Sequence, residues 1–191
     1  MRLNFFAAVV LGIFTCHFAH ASSVPTLALT FDTSVQTYGM NRSQEAKIQK
    51  AEDKIKSVIA SSAFKEAVLN FTYNGKKQFN DNKGLSNFEI YMKILNGAER
   101  LSPFQNNRMD LKVRLYFENS NTVGYTSTLS PYINMNKKYF NTFSPDSVAS
   151  NMTHEWLHKI GFGHAVSYST HRDYSVPYAV GRIIKKLAKN Y

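Results

Sequence analysis

Histidine is concentrated in one short stretch of this chain. Three of the six histidines occupy positions 154, 158 and 164, within HEWLHKIGFGH, and outside residues 1–21 the only other one is His171. His154 and His158 are four residues apart, so in a helix their side chains project from one face, one turn apart. Two imidazoles at that separation can bind one metal ion, and Glu155 leaves the same turn rotated by about 100°.

The residues around this stretch predict where its helix begins and ends. Ser144 is a suitable N-cap, Pro145 suits the first helical position, and Gly161 stops the helix. Gly161 and Gly163 also allow the chain to change direction. We therefore expect His164 to return toward the two earlier histidines.

Three imidazoles are a donor set typical of catalytic zinc, which keeps a fourth position open for water. The sequence therefore predicts zinc bound by His154, His158 and His164, with Glu155 beside the ion as the general base. No glutamate follows Glu155, which excludes a downstream glutamate as third ligand. His171 and Asp173 are the alternative third ligands, and an aspartate-type zincin would use Asp173. Asp173 otherwise bonds a backbone turn or orients a ligand imidazole.

The same stretch matches, position by position, the signature H-E-x-x-H-x-x-G-x-x-H, and the chain resembles the metzincin family of zinc metalloproteases. The resemblance covers about residues 110–185 in pattern. It implies that His154, His158 and His164 ligate zinc and that Glu155 acts as general base in peptide-bond hydrolysis. It also implies an edge strand and a last strand upstream of the active-site helix.

The chain departs from the family at the turn beneath the metal. Metzincins have a methionine there, often within S-x-M-x-Y, whereas residues 175–181 read SVPYAVG and no methionine follows Met152. Pro177 stands near the methionine position and favours a turn. Tyr178 either donates its hydroxyl to an oxyanion, as a tyrosine does in related enzymes, or packs as an ordinary structural residue.

The rest of the sequence predicts a mixed α/β (α+β) domain. Helical periodicity and capping signals predict helices at residues 43–62 and 86–97, and a basic amphipathic helix at 178–189. Strand patterns occur at 26–33, 111–118, 122–128 and 132–140, and a hairpin is predicted at 71–79. We expect one zincin-like domain over residues 22–191, with a twisted mixed sheet that has an antiparallel edge strand, the histidine-bearing helix and the C-terminal helix.

The first 21 residues predict export. They contain an early arginine, an apolar run over residues 5–19 and an A-x-A arrangement that ends at Ala21, after which a signal peptidase is expected to cut. The run is shorter than the ~20 residues of a membrane span, so we expect a secreted or periplasmic protein without stable membrane insertion. Cys16, the single cysteine, lies in this leader, so no disulfide is expected.

The net charge of +10 indicates either a solvated basic surface or attraction to anionic envelopes or acidic substrates. No basic run is interleaved with aromatic residues, so a nucleic-acid partner is not expected. The function hypothesis is a zinc-dependent endopeptidase that acts on peptide or protein substrates through a metal-activated water. The alternatives are a non-catalytic, zinc-stabilised protein that binds envelope polymers, and an enzyme that hydrolyses amides in cell-wall peptides.

Overall fold

The structure is a computed structural model that describes residues 30–191. The predicted leader and its cleavage site therefore lie outside the described residues. The elements, in chain order, are β1 (Asp32–Tyr38), α1 (Arg42–Ile59), α2 (Ser62–Leu69), α3 (Asn87–Asn96), β2 (Arg108–Tyr116), β3 (Gly124–Tyr125), β4 (Tyr132–Asn136), α4 (Lys137–Phe140), α5 (Pro145–Lys159), α6 (Thr170–Asp173) and α7 (Val176–Leu187), followed by a 3-10 turn over Ala188–Asn190. Between residues 30 and 191, no helix has the length and apolar character needed to cross a membrane.

The four strands form one mixed sheet in the order β1-β2-β4-β3. β1, β2 and β4 are parallel, whereas β3 lies at the edge and runs antiparallel to β4, with Gly124 opposite Met135 and Tyr125 opposite Asn134. The predicted α/β class, the mixed sheet and its antiparallel edge strand are confirmed. β2 alternates as predicted through Leu111 and Val113, but Phe117 lies beyond the strand and is 74% exposed.

The helices enclose a core on which the site depends. α5 packs against α7 and α1, and Val148, Met152, Trp156 and Leu157 of α5 are fully buried, as their spacing predicts. The apolar face of α1 is also buried as predicted, at positions 48, 51, 55 and 59. This packing stabilises α5 on the side opposite its histidines.

Several elements differ from the sequence predictions. The first strand begins at Asp32, because pairing with β2 rather than local pattern decides its limits; residues 26–29 of the predicted strand lie outside the described residues. The strand predicted at 132–140 ends at Asn136, whose side chain caps helix α4 over residues 137–140, and the strand predicted at 122–128 is limited to Gly124–Tyr125. At residues 71–79 only the turn forms: Asn74 and Gly75 have φ of 50° and 72°, and Tyr73 and Lys76 exchange two backbone hydrogen bonds. No strands extend that turn, and α2, which precedes it, was not predicted.

The end of α3 shows how tightly the backbone is packed. α3 has the predicted capping box between Ser86 and Glu89 and ends at Gly97, which adopts the left-handed conformation with φ of 66°. A Cβ atom at Gly97 would lie 2.1 Å from the backbone oxygen of Arg108, the first residue of β2. Because backbone atoms cannot move aside as a flexible side chain can, only glycine fits here.

We expect Gly97→Ala to destabilise the protein by about 3 kcal/mol or more, because it adds a backbone clash to the strain of a left-handed alanine. Gly39→Ala is the matched control, since Gly39 has φ of 67° and open space around its Cβ position. That change should cost about 1 kcal/mol. Urea unfolding of both variants gives the two free energies. Equal losses would show that the contact with Arg108 is unimportant.

Candidate metal centre

α5 and the turn after it position the three clustered histidines. Ser144 caps the helix, with its hydroxyl accepting from the backbone N–H of Ser147, and Gly161 adopts φ of 101° just after the helix end. The N–H of Gly161 donates to the carbonyl of His158 and that of Phe162 to the carbonyl of Leu157, the hydrogen-bond pair of a Schellman motif. This motif turns the chain back, so that the following residues approach the histidine face of α5.

The three imidazoles converge on one point. The Nε2 atom of His154 lies 3.3 Å from Nε2 of His158 and 3.2 Å from Nε2 of His164. Zinc–nitrogen bonds of 2.0–2.1 Å at tetrahedral angles place ligand nitrogens about 3.3 Å apart. The distances and the donor type therefore fit an ion such as zinc, and the three histidines can bind a metal.

Two of the three imidazoles are oriented by backbone carbonyls. Nδ1 of His158 donates to the carbonyl of Phe162 at 2.9 Å, and Nδ1 of His164 to that of Ala165 at 2.8 Å. A carbonyl can only accept, so each of these two rings carries its proton on Nδ1, away from the centre. Their Nε2 lone pairs are thus left for a metal.

Burial favours the neutral form of two of the clustered histidines. Desolvation, with smaller contributions from the neighbouring histidines, lowers the pKa of His154 to about 3. Desolvation also lowers the pKa of His158 below its ordinary value. Only a neutral imidazole has the lone pair that binds a metal, so the fold keeps His154 in the binding form well below neutral pH and shifts His158 in the same direction.

Glu155 is the buried carboxyl of the site. It is 3% exposed, and burial raises its pKa to about 8, although the Lys159 ammonium partly opposes this. Edge strand β3 passes directly over it: a Cβ atom at Gly124 would lie 3.2 Å from Oε1 of Glu155 and 2.9 Å from Oδ1 of Asn151. Only glycine allows the strand to approach so closely. The role of Gly124 has no signature in the sequence.

A cleft of about 930 Å³ lies over the histidines. Residues 121–128, which include β3, form one wall; α5 forms the floor; Tyr178, Arg182 and Lys185 of α7 line the other wall. His154, Glu155, His158 and His164 all line this cleft. The predicted ligands and the predicted base therefore face one shared space that is large enough for a peptide segment.

The structure places Tyr178 next to the histidines. Its ring centroid is 4.5 Å from that of His154 and 4.7 Å from that of His164. The guanidinium of Arg172 lies 4.5 Å from the centroid of the Tyr178 ring and donates a hydrogen bond to the tyrosine hydroxyl. Sequence analysis missed Arg172, because nothing in its local pattern marks it. Pro177 lies in the first turn of α7 rather than in a free turn, so the prediction for residues 175–181 was wrong in that respect.

The two other candidate ligands lie elsewhere. Nδ1 of His171 is hydrogen-bonded to the hydroxyl of Tyr73, outside the cleft. Asp173 accepts a hydrogen bond from Arg182 through its backbone oxygen. Within residues 30–191, one group of histidine, cysteine or acidic side chains is arranged so that it can hold a metal. It contains His164 but neither His171 nor Asp173.

A buried polar contact supports α5 from its other side. The indole Nε1 of Trp156 donates to Oε1 of Glu99 at 2.6 Å, and the backbone N–H of Asp110 donates to the same oxygen at 3.0 Å. The Lys159 ammonium donates to the backbone oxygen of Ser130 at 2.5 Å. These partners are far apart in sequence, so no local pattern predicts them. They fix the rotation of the helix that carries two of the three histidines.

Comparisons of the chain with protein-family models, with curated proteins and with solved structures find no match. Its function is therefore argued from the geometry and chemistry of the site.

We expect His164→Ala to weaken metal binding by more than about 100-fold, the upper end of what the loss of an outer-shell partner costs. His171→Ala and Asp173→Ala are the controls and should change the affinity little, because neither side chain belongs to the converging group. Competition with a chromophoric chelator measures all three affinities. If Asp173→Ala releases the metal and His164→Ala retains it, the ligand set is that of an aspartate-type zincin.

The raised pKa of Glu155 predicts a pH-dependent stability cost in the metal-free protein. The folded-state pKa of about 8 is above the value of about 4.3 for an unfolded glutamate, so stability is lost as pH rises between those two values. Glu155→Gln should therefore stabilise the chelator-treated protein at pH 8, by on the order of a few kcal/mol, and leave it unchanged at pH 4. Denaturant unfolding at both pH values tests this. An equal effect at the two values would contradict a buried carboxyl with a raised pKa.

Proposed function

We propose that this protein is an exported zinc-dependent endopeptidase of the metzincin type. The observation that carries the proposal is the convergence of three Nε2 atoms, 3.2–3.3 Å apart around His154, beside a buried carboxyl in an open cleft. Zinc is favoured because three neutral imidazoles with one open position are its usual catalytic donor set. The sequence order of ligands and base agrees with the signature that the chain resembles.

His154, His158 and His164 would hold the ion, which lowers the pKa of water toward ~7 and polarises a carbonyl group when bound. Backbone carbonyls hold the rings of His158 and His164 in the binding tautomer before the metal arrives. Little reorganisation is then needed on binding, which favours tight retention of the metal.

Glu155 is the general base in this proposal. It takes a proton from the attacking water and returns it to the leaving amine of the cleaved peptide bond. Its burial suits the task, because a carboxylate removed from bulk water is a stronger base than an exposed one. The close approach of Gly124 limits where Oε1 can move and so keeps the carboxyl directed into the cleft.

The edge of the sheet provides a way to bind an extended peptide. β3 pairs with β4 on one side only, and the hydrogen bond from Asn136 to Val123 sets a register in which the backbone groups of Tyr125 face β4. The backbone groups of Gly124 therefore face outward and are available to a further strand. Adding a substrate strand there would lay its backbone along the cleft, above the histidines. Main-chain pairing of this kind binds many sequences, as an endopeptidase requires.

A non-catalytic, zinc-stabilised envelope-binding protein is the second candidate function. Three histidines alone are sufficient for structural metal binding, so this candidate leaves Glu155 without a role. The burial of Glu155 lowers the stability of the protein at every pH at which the carboxyl ionises, and a purely structural site has no use for such a group. Glu155 therefore favours the enzyme. Hydrolysis of amides in cell-wall peptides uses the same site chemistry and differs only in the substrate.

We expect Glu155→Gln to retain zinc and fold while the hydrolysis of peptides falls by about 10²- to 10⁴-fold, because the amide cannot accept the proton. Glu99→Gln is the matched control: Glu99 is also buried, with a pKa raised by burial, but it contacts Trp156 and does not line the cleft. The readouts are zinc content by elemental analysis and cleavage of a broad peptide library by mass spectrometry.

Two results would contradict this proposal. Glu155→Gln with activity within a few fold of the unchanged protein would show that Glu155 is not the base. Zinc-loaded protein that cleaves no peptide in the library, with or without the substitution, would favour the binding protein.

A further inference from the structure

The charges that line the cleft are unevenly distributed. Its lining includes three cationic side chains, Arg172, Arg182 and Lys185, and one acidic side chain, the buried Glu155. Arg172 lies beside Tyr178, whereas Arg182 and Lys185 follow Tyr178 along the same face of α7, four and seven residues later. Positive charge therefore extends from the metal centre along one wall.

Contacts between α5 and α7 show where these charges lie. The hydroxyl of Ser150 donates to the backbone oxygen of Gly181 at 2.8 Å, and the ring of His154 lies beside that of Tyr178. The two helices are thus antiparallel. The guanidinium of Arg182 reaches back along α7 to the backbone oxygen of Asp173, toward the start of the helix. We name the α7 wall of the cleft, which is lined by Arg172, Arg182 and Lys185, the cationic arm.

The wall formed by residues 121–128 differs in chemistry. Its side chains carry hydroxyl, amide or apolar groups and none is charged. A substrate in the cleft therefore meets cations along the α7 wall and uncharged side chains along residues 121–128.

The cations of this wall have no acidic partner in residues 30–191, where ion pairs form elsewhere. The guanidinium of Arg182 donates to the backbone oxygen of Asp173 and lies 5.9 Å from the Tyr174 ring centroid, contacts that leave its charge uncompensated. Nε of Arg172 is buried without a hydrogen-bond partner. Lys185 is exposed. A bound dication would add to this positive potential, which an anionic ligand would offset.

We propose that the cationic arm binds an acidic side chain of an extended peptide and so makes the enzyme selective for acidic substrates. This inference rests on the proposed peptidase function for the register of the substrate. The guanidinium of Arg172 lies over the Tyr178 ring, and that of Arg182 reaches back toward the start of α7, where Tyr178 lies beside the histidines. The acidic residue is therefore expected close to the cleaved bond.

Peptide binding tests the arm independently of catalysis. The probes are fluorescent octapeptides with a single Glu, Gln or Lys moved through each position, prepared with free and with amidated C-termini. Their affinity for the zinc-loaded Glu155→Gln protein is measured by anisotropy. We expect Glu at the favoured positions to bind about fivefold more tightly than Gln, with Lys weakest. The differences should vanish near 1 M salt, where the screening length is about 3 Å.

Charge reversal assigns the preference to the arm. Arg182→Glu combined with Lys185→Glu should invert the order, so that Lys peptides bind best. Lys186→Glu combined with Lys189→Glu is the matched control, since it changes the net charge equally at exposed residues that do not line the cleft. The control variant should keep the preference for Glu.

Equal binding of the Glu, Gln and Lys peptides would overturn the inference. So would a preference for Glu that the control variant loses to the same extent as the variant with Arg182→Glu and Lys185→Glu. If the preference disappears when the peptide C-terminus is amidated, the arm binds a terminal carboxylate and not an acidic side chain, and the inference is overturned. Cleavage of the same peptides by the unmodified protein is recorded separately. Selective binding without cleavage would overturn the proposed peptidase function and support the binding of acidic side chains by the cationic arm. Cleavage with unselective binding would support the peptidase function and overturn the role of the arm.

Discussion

The metal centre depends on one left-handed residue at the end of one helix. Gly161 adopts φ of 101°, a conformation that residues with a Cβ atom rarely adopt. The Schellman motif that it permits ends α5 and directs the N–H of Phe162 back to the helix. The carbonyl of Phe162 then accepts the hydrogen bond that orients His158. The same turn brings Nε2 of His164 to 3.2 Å from Nε2 of His154, so a single backbone conformation supplies both an oriented imidazole and the third member of the group that can hold a metal.

α5 places side chains that line the cleft next to side chains that are buried. His154 and His158 line the cleft, whereas Glu155 and Trp156, in the turn between them, are buried. Burying a carboxyl in an apolar core is unfavourable, so the packing of α5 has to offset that cost. The indole of Trp156 is bonded to Glu99 on the far side, which prevents the helix from rotating and presenting Glu155 to solvent. Rigid support on one side allows a reactive arrangement on the other.

Edge strand β3 and helix α7 determine how the site meets a substrate. β3 approaches α5 so closely at Gly124 that the carboxyl of Glu155 lies directly beneath the strand. α7 packs against α5 through Ser150 and Gly181, which places Tyr178 beside the histidine rings. These two elements form opposite walls with different chemistry, backbone groups on one side and cationic side chains on the other. In the proposed function, α7 supplies the selectivity of the cleft and β3 its surface for an added strand.

Local sequence determined the parts of this protein that local interactions control. The limits of α5, the capping box of α3, the buried face of α1 and the candidate ligand set all follow from caps, glycines and helical spacing, because these act within a few residues. Tertiary structure decided the rest. It decided that β1 pairs with β2, that the turn at Asn74 does not extend into a hairpin, and that Arg172 lies against Tyr178. These features join segments that are distant in the chain, and their free energy comes from packing and pairing that no short stretch of sequence contains.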